Sequence, residues 1–349
     1  MEKLGVDMQV VRHGSYKSAV EPFLREDLSP ENREQIEAYV GSLWEQMVNG
    51  ISEARNIPLE KLQAYADELI LTFEGKAVEL GMIDGEIYYD ELLSLLKEKT
   101  GVDEKDDLKA ISLKKFKDVP ASKDKAFSSD KIAVIYAMGS VLVGNAGEGS
   151  IGSDRIAKAI REARRDDKVK AIVFRVNSGG GHPLASEIIL REVKLAAEKK
   201  PFVASLGDVA ASGGYCIVCA ADTIVASENT LTGSIGVFGH LPNEQELMNE
   251  KLGITTDVVN TNKMSDMRTI SRPMTKDERE IFQYTVDNIY KTFVNHVCEG
   301  RGMTYEQVDA IAQGRIWSGK DALSIGLIDM FGGLEKLSLI HISEPTRPY

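Results

Sequence analysis

Apolar residues recur every three or four positions in the first third of the chain, which is the spacing of one face of a helix. The pattern begins at Ser29, where a serine followed by Pro30 and Glu31 is typical of a helix start. Further helices are predicted over 59–66, 75–80 and 90–99, and a short strand is predicted over 7–12. Residues 1–118 are therefore expected to be mostly helical.

Beyond a polar, aperiodic stretch at 119–130, which we interpret as a linker, short apolar runs alternate with amphipathic segments. Strands are predicted over 131–138, 170–176, 202–206, 223–226 and 234–237, and helices over 153–165, 185–198, 212–220 and 243–251. This alternation predicts an α/β domain with a largely parallel sheet and flanking helices. The segment 275–329 is predicted to be helical and to close the domain.

The closing segment repeats the beginning of the chain. Positions 33–34, 73–76 and 81–84 resemble 279–280, 317–320 and 326–329, with an offset of about 245 residues. We therefore expect residues 1–118 to be the C-terminal part of a first repeat and residues 131–336 to be a complete second repeat. On this interpretation the chain is truncated at its N-terminus. Residues 337–349 break the helical pattern and resemble translated sequencing-adapter DNA, so we expect a non-native tail there.

The stretch 205–215, SLGDVAASGGY, predicts a strand, a tight turn and the start of a buried helix. Ser212 falls at the first turn of that helix, where the positive end of the helix dipole and the uncrowded N–H groups of Gly213 and Gly214 surround its hydroxyl. A nucleophile and part of an oxyanion hole are built in this way. Serine is also a common helix cap, so this stretch alone leaves a structural role open.

A second glycine-rich turn lies about thirty residues upstream, in the stretch 171–181, AIVFRVNSGGG. Ligands of α/β proteins bind at the carboxyl ends of the strands, and glycine lets the backbone approach a bound carbonyl closely. We therefore expect Gly181 and Gly213 to donate their N–H groups to an oxyanion. Gly180 is the alternative to Gly181, because the sequence does not fix the register of the loop.

Taken together, these motifs resemble one family. NSGGG followed by LASEI, then SLGDVAASGGYCI and later TLTGSIGVFG, resemble the signal peptide peptidase A (protease IV) family, serine peptidases of the crotonase/Clp-protease type of fold. The segment 14–22, GSYKSAVEP, resembles the part of the long, two-repeat form that carries a general-base lysine, here Lys17. The resemblance covers roughly residues 1–336. Gly179 and His182 stand where the family's loop usually has proline and serine.

The resemblance implies a serine endopeptidase in which Lys17 is the base for Ser212. It implies hydrophobic peptides, remnant signal peptides at the membrane, as substrates, and a ring-shaped homo-oligomer that encloses its active sites. No cofactor is implied. The catalytic part is expected outside the bacterial cytoplasm, held at the membrane by an N-terminal anchor that this chain lacks. Segment 232–239 is expected to support the site rather than to take part in the chemistry.

The sequence leaves two alternatives to Lys17 as the general base. Lys263 is its counterpart in the second repeat and lies about as far after Ser212 as the lysine of single-repeat members does, where it reaches a neighbouring subunit. A Ser-His-Asp triad is the other possibility, with His182 as base and Asp208 behind it.

Composition narrows the functions further. A net charge of −12 argues against binding to nucleic acid or to an anionic membrane surface through bulk electrostatics. Cys216 and Cys219 form a C-x-x-C pair, but in an apolar helix they are expected to be packed core thiols, and no metal site is expected. Two alternatives to a peptidase stay open: an acyl-CoA enzyme of the crotonase type, and an inactive fragment that acts only as an assembly unit.

Overall fold

The structure is a computed structural model that describes residues 1–108, 110–116 and 129–334. The helices are α1 (Pro30–Arg55), α2 (Leu59–Asp67), α3 (Lys76–Glu79), α4 (Tyr89–Thr100), α5 (Leu113–Phe116), α6 (Ser153–Arg165), α7 (Pro183–Ala197), α8 (Gly213–Cys216), α9 (Lys276–Arg301), α10 (Tyr305–Ile311) and α11 (Gly319–Ser324). The strands are β1 (Asp7–His13), β2 (Lys131–Met138), β3 (Ser140–Leu142), β4 (Ser150–Gly152), β5 (Val169–Ser178), β6 (Phe202–Ala211), β7 (Thr223–Ala226), β8 (Leu231–Gly233), β9 (Val237–Asn243), β10 (Ile316–Ser318) and β11 (Met330–Phe331).

The main sheet has seven strands. Strands β2, β5, β6 and β8 are neighbours in that order and run parallel, and β10 closes the β8 edge in the antiparallel sense. Strand β7 also pairs with β6, and β11 pairs with β7, both in parallel. The predicted α/β fold with a largely parallel sheet and flanking helices is confirmed.

The core of this domain lies where α6, α7, α8 and α9 pack against the sheet. Strands β5 and β6 are apolar along most of their length because side chains on both of their faces are buried. The largest buried side chains are Phe174, Phe202, Ile189, Leu190, Tyr215 and Tyr290. Removing so much apolar surface from water is the main stabilisation of the domain.

The chain divides into two compact units. One contains residues 1–43 together with the residues from 130 onward, and the other contains residues 44–129. In the second unit, Val48, Ile57 and Leu62 form a small core of their own. The predicted repeat boundaries at 118 and 131 stay a prediction. Residues 119–128 of the predicted linker and the whole predicted tail, 337–349, lie outside the described residues.

A separate two-stranded sheet brings the N-terminal segment into the first unit. Strand β1 pairs antiparallel with β9 along its full length, from Asp7 opposite Asn243 to His13 opposite Val237. At the end of β1, His13 stacks on Tyr290 of α9 with ring centroids 3.9 Å apart, and its Nδ1 lies 2.7 Å from an Asp287 carboxylate oxygen. The residues that follow β1 are thus held against the α/β domain.

Three predicted elements differ from the structure in their bounds. Residues 234–236 of the predicted strand 234–237 form a break between β8 and β9, where Ser234 has a positive φ of 48°, which a regular strand does not allow. The predicted helix 243–251 is reduced to a π-helix at Leu247–Lys251, because β9 extends to Asn243. Strand β6 is longer than predicted, since its last three residues pair with β8.

Within the described ranges, no helix combines the length and the apolar character that crossing a bilayer requires.

Candidate active site

Ser212 lies in a strained turn between β6 and α8. Its backbone angles, φ 54° and ψ −124°, are rarely adopted by a residue with a side chain. Hydrogen bonds hold it there: its N–H donates to the Gly233 carbonyl at 2.9 Å, and its carbonyl accepts from the N–H groups of Tyr215 at 3.0 Å and Cys216 at 2.9 Å. The tight turn predicted for this serine is present, although the helix after it is shorter than predicted.

Lys17 reaches this serine from the N-terminal segment. Its Nζ donates to Ser212 Oγ at 3.3 Å, to Ser234 Oγ at 2.9 Å and to the Ser234 carbonyl at 3.0 Å. Only 5% of the residue is exposed, and this burial lowers the pKa of Lys17 to about 8. Among the described residues, no carboxylate lies within ion-pair distance of Nζ. Among the described residues, no negative charge therefore holds the proton on this amine.

Backbone contacts place the lysine. The N–H of Tyr16 donates to the Gln313 carbonyl at 3.0 Å, which fixes the turn before Lys17. Gly314, the next residue after Gln313, has a φ of +82°. A methyl group there would lie 2.7 Å from Lys17 Cβ. A glycine is required at 314 because its backbone passes directly beside the lysine.

A buried carboxylate anchors the short 3-10 helix, Ser18–Phe23, that follows the lysine. Glu21 accepts hydrogen bonds from the Ser29 hydroxyl at 2.5 Å and from Asn32 Nδ2 at 2.8 Å. Arg12 Nη1 lies 3.8 Å from the same carboxylate and donates to the Lys17 carbonyl at 3.2 Å. Burial alone raises the pKa of Glu21, but the hydrogen bonds from Ser29 and Asn32 outweigh it and lower the pKa. Glu21 thus stays ionised and fixes the backbone beside Lys17.

The glycines predicted to hold an oxyanion meet at the serine. Gly180 has a φ of +102°, and a methyl group there would lie 2.6 Å from the Gly213 nitrogen and 2.9 Å from Ser212 Cβ. The loop is fixed on its other side by Val141, whose N–H donates to the Gly180 carbonyl at 3.0 Å and whose carbonyl accepts from His182 N–H at 2.8 Å. In the part of the chain that the structure describes, the N–H groups of Gly181 and Gly213 have no acceptor. Both are free for a ligand oxygen.

Two cavities open beside Ser212 and Lys17. One, of about 410 Å³, is lined mainly by apolar groups, among them Leu184, Ile289 and Phe293. The other, of about 590 Å³, extends along Tyr16 and the glycine loop. Pockets of this size bury several side chains of a bound ligand.

The rival bases lie elsewhere. The Lys263 side chain is 78% exposed and forms an ion pair with Asp277, whose hydrogen bond raises the pKa of Lys263. His182 caps α7 by accepting the Leu184 N–H at Nδ1, and Asp208 is exposed. Within the described ranges, His182 makes no hydrogen bond to Ser212 or to Asp208. In this chain Lys17 alone of the three bases reaches Ser212.

The cysteine pair is a packing feature. Cys216 and Cys219 are buried free thiols, and burial raises the pKa of Cys219 to about 12 and that of Cys216 as well. Over residues 1–108, 110–116 and 129–334, no group of three or more histidine, cysteine or acidic side chains is placed to hold a metal ion.

Sequence reasoning missed two residues of the site. Ser234 lies in the segment expected to give structural support, yet both of its oxygens accept from Lys17. The sequence signal that could have identified Ser234 is a serine between glycines after a predicted strand. Glu21 had no signal, because a lone glutamate in a short polar segment is usually a solvated residue.

Fold and site together define a class of protein. A serine in a strained turn after a parallel strand, beside a buried lysine and unengaged glycine N–H groups, is an arrangement suited to acyl transfer onto a serine hydroxyl. The model of peptidase family S49 matches residues 1–103 and 194–339. The chain therefore belongs to peptidase family S49, and the resemblance to the signal peptide peptidase A family is confirmed.

Three curated relatives that match most of the chain carry protease names. Protease 4 of Salmonella typhi is 38% identical over 96% of this chain and 55% of the relative. The chloroplastic serine protease SPPA of Arabidopsis thaliana is 36% identical over 99% and 54%, and Protease 4 of Haemophilus influenzae is 35% identical over 96% and 56%. The chain thus spans about half the length of these relatives. All three relatives are named as proteases, and none as an acyl-CoA enzyme.

Among solved structures, a ClpP1 mutant from Listeria monocytogenes matches with a TM-score of 0.39 and 16% identity, over 58% of this chain and 92% of that chain.

Substituting Gly180→Ala tests the contact between the glycine loop and Ser212. We expect its methyl group to displace the turn and to slow the reaction of Ser212 with a fluorophosphonate at least about 100-fold, the cost of losing one oxyanion donor. Gly179→Ala is the matched control, because a methyl group at 179 meets open space. Equal rates in the two variants would show that the loop does not position the serine.

Substituting Glu21→Gln tests the anchor of the lysine segment. An amide NH₂ group would face the Ser29 and Asn32 donors, so we expect the free energy of unfolding to fall by about 1–3 kcal/mol, the cost of unmade buried hydrogen bonds. Urea denaturation measures this change. Glu34→Gln, at an exposed carboxylate paired with Arg315, is the control and should change stability by less than about 1 kcal/mol. Similar losses in both variants would contradict the role of Glu21.

Proposed function

We propose that this chain is a serine endopeptidase with Ser212 as the nucleophile and Lys17 as the general base. One observation carries the proposal: the Lys17 amine, buried and with no carboxylate partner among the described residues, lies 3.3 Å from Ser212 Oγ. A lysine serves as a base only when its neutral form is accessible near neutral pH, and desolvation is the physical means to that end.

In the proposed mechanism, neutral Lys17 accepts the proton of Ser212 Oγ as that oxygen attacks the peptide carbonyl carbon. The tetrahedral oxyanion accepts hydrogen bonds from the N–H groups of Gly181 and Gly213, with Gly180 shaping the loop between them. Protonated Lys17 then donates its proton to the leaving amine as the C–N bond breaks. A water molecule, deprotonated by Lys17, hydrolyses the acyl-enzyme and releases Ser212.

Ser234 has a directing role in this scheme. Its hydroxyl and its carbonyl accept two of the hydrogens on Lys17 Nζ. When the amine is neutral, those two N–H groups stay engaged and the lone pair faces Ser212 Oγ. No ionised group is needed to orient the base.

The apolar walls of the cavity beside Ser212 support peptides that are mainly hydrophobic as substrates. By family resemblance we propose that these are signal peptides left at a membrane after cleavage, that the enzyme is anchored there with its catalytic part outside the bacterial cytoplasm, and that it works as a homo-oligomer. No cofactor and no nucleic acid enter this scheme.

Labelling of the purified chain with a fluorophosphonate tests the assignment of the two residues. We expect Ser212→Ala to abolish labelling and Lys17→Ala to slow it by at least about 1,000-fold, because the serine would keep its proton. Lys263→Ala, which removes an exposed lysine, should label at the wild-type rate. A folded chain that labels normally without Lys17 would refute the proposed base.

The pH dependence of labelling tests the lysine independently. Because the reactive form needs neutral Lys17, the rate should rise with pH, reach half its maximum near pH 8 and then level off. The profile of Lys263→Ala should coincide with that of the wild type. A midpoint near the pKa of an ordinary lysine, about 10.4, would mean that Lys17 is not desolvated in solution.

A further inference from the structure

The apolar pocket beside Ser212 has one charged side chain whose role the proposed chemistry does not explain. The pocket lies between α7, which contributes Leu184 and Glu187, and α9, which contributes Ile289, Phe293 and His296. Among the described residues that line it, Glu187 is the only carboxylate. About half of the Glu187 side chain, 49%, is exposed, so the carboxylate lies where an entering ligand can meet it.

Glu187 is the end of a chain of four polar groups that links the two helices. Its Oε2 lies 2.6 Å from Nε2 of His296. The other ring nitrogen, Nδ1 of His296, lies 3.1 Å from Nζ of Lys194, and that ammonium also donates to Glu299 at 2.5 Å. The chemistry of these four groups determines which partner donates in each hydrogen bond.

The lysine ammonium has only donors, so His296 Nδ1 must accept from it. The imidazole then donates its Nε2 hydrogen to Glu187. This hydrogen bond orients the Glu187 carboxylate at the pocket wall. Its second oxygen, Oε1, has no hydrogen-bond partner in the described part of the chain.

An apolar pocket with one carboxylate at its wall matches a long side chain with a cationic end. The aliphatic part of a lysine or arginine packs on apolar walls, while its head needs an anion or water once it leaves bulk solvent. An acidic side chain would meet repulsion from Glu187. Among the described lining residues, the basic groups are Lys17 at the nucleophile and His296, which Glu187 already engages.

We propose that the pocket beside Ser212 accepts a lysine or arginine side chain of the peptide, with Glu187 as the residue that selects it. The inference rests on the proposed peptidase function and specifies its substrate. The pocket begins at Ser212, Gly181 and Gly213, the groups that would hold the reacting carbonyl. The selected residue is therefore the one on the amino side of the bond that is cut.

The test compares two peptides that differ at that residue alone, one with lysine and one with norleucine, which has a similar stem without the charge. We expect Glu187→Gln to lower the ratio of kcat/KM for lysine over norleucine by about fivefold, the effect of losing one partly exposed charge pair. Glu187→Lys should lower the ratio further and favour a glutamate peptide. Glu299→Gln, in the same polar chain but outside the pocket lining, should leave the ratio at its wild-type value.

The outcomes are distinct. A ratio that is the same in wild type and Glu187→Gln, while both peptides are cleaved, would overturn the role of Glu187 and leave the peptidase function standing. A ratio that falls equally in Glu299→Gln would also overturn it, since the effect would then come from the link between the helices. A folded wild-type chain that cleaves neither peptide would refute the proposed function, and this assignment with it.

Discussion

The site depends on one constraint, the removal of a lysine amine from water without a counter-charge. Burying a cation is costly, so the amine loses its proton more readily than an exposed lysine does. Among the described residues, Lys17 Nζ donates only to neutral acceptors, two from Ser234 and one from Ser212. An acidic neighbour would hold the proton on the amine. Glu21, in the 3-10 helix that follows Lys17, instead binds Ser29 and Asn32 and anchors the backbone.

The serine side of the site is built by close backbone approach. The strained conformation of Ser212 persists because its N–H and carbonyl are both hydrogen-bonded, and the Gly180 backbone lies against the turn. Gly179, which stands where the family usually has proline, faces open space. A methyl group at this position would touch no neighbour, and without a proline ring the loop backbone has more conformational freedom.

Much of the fold could be predicted from the sequence, and part of the site could be. The periodicity of apolar residues predicted the parallel strands and most helices, and the glycines around Ser212 predicted a tight turn. Periodicity failed at Ser234, where positive φ values interrupt an apolar run. The contact between Lys17 and Ser212 joins residues 195 positions apart, and no local pattern encodes such a pairing. The family resemblance identified Lys17, whereas the contacts of Ser234, Glu21 and Glu187 could be found only from the three-dimensional structure.

The pairing of β1 with β9 has a consequence for the order in which the molecule is made. Synthesis proceeds from the N-terminus, so Lys17 is produced long before β9 and the turn that carries Ser212. Until β9 has left the ribosome, β1 has no partner strand, and the contacts that bury Lys17 cannot form. The proposed base and the proposed nucleophile therefore meet only when the domain is complete. Such long-range pairing also slows folding.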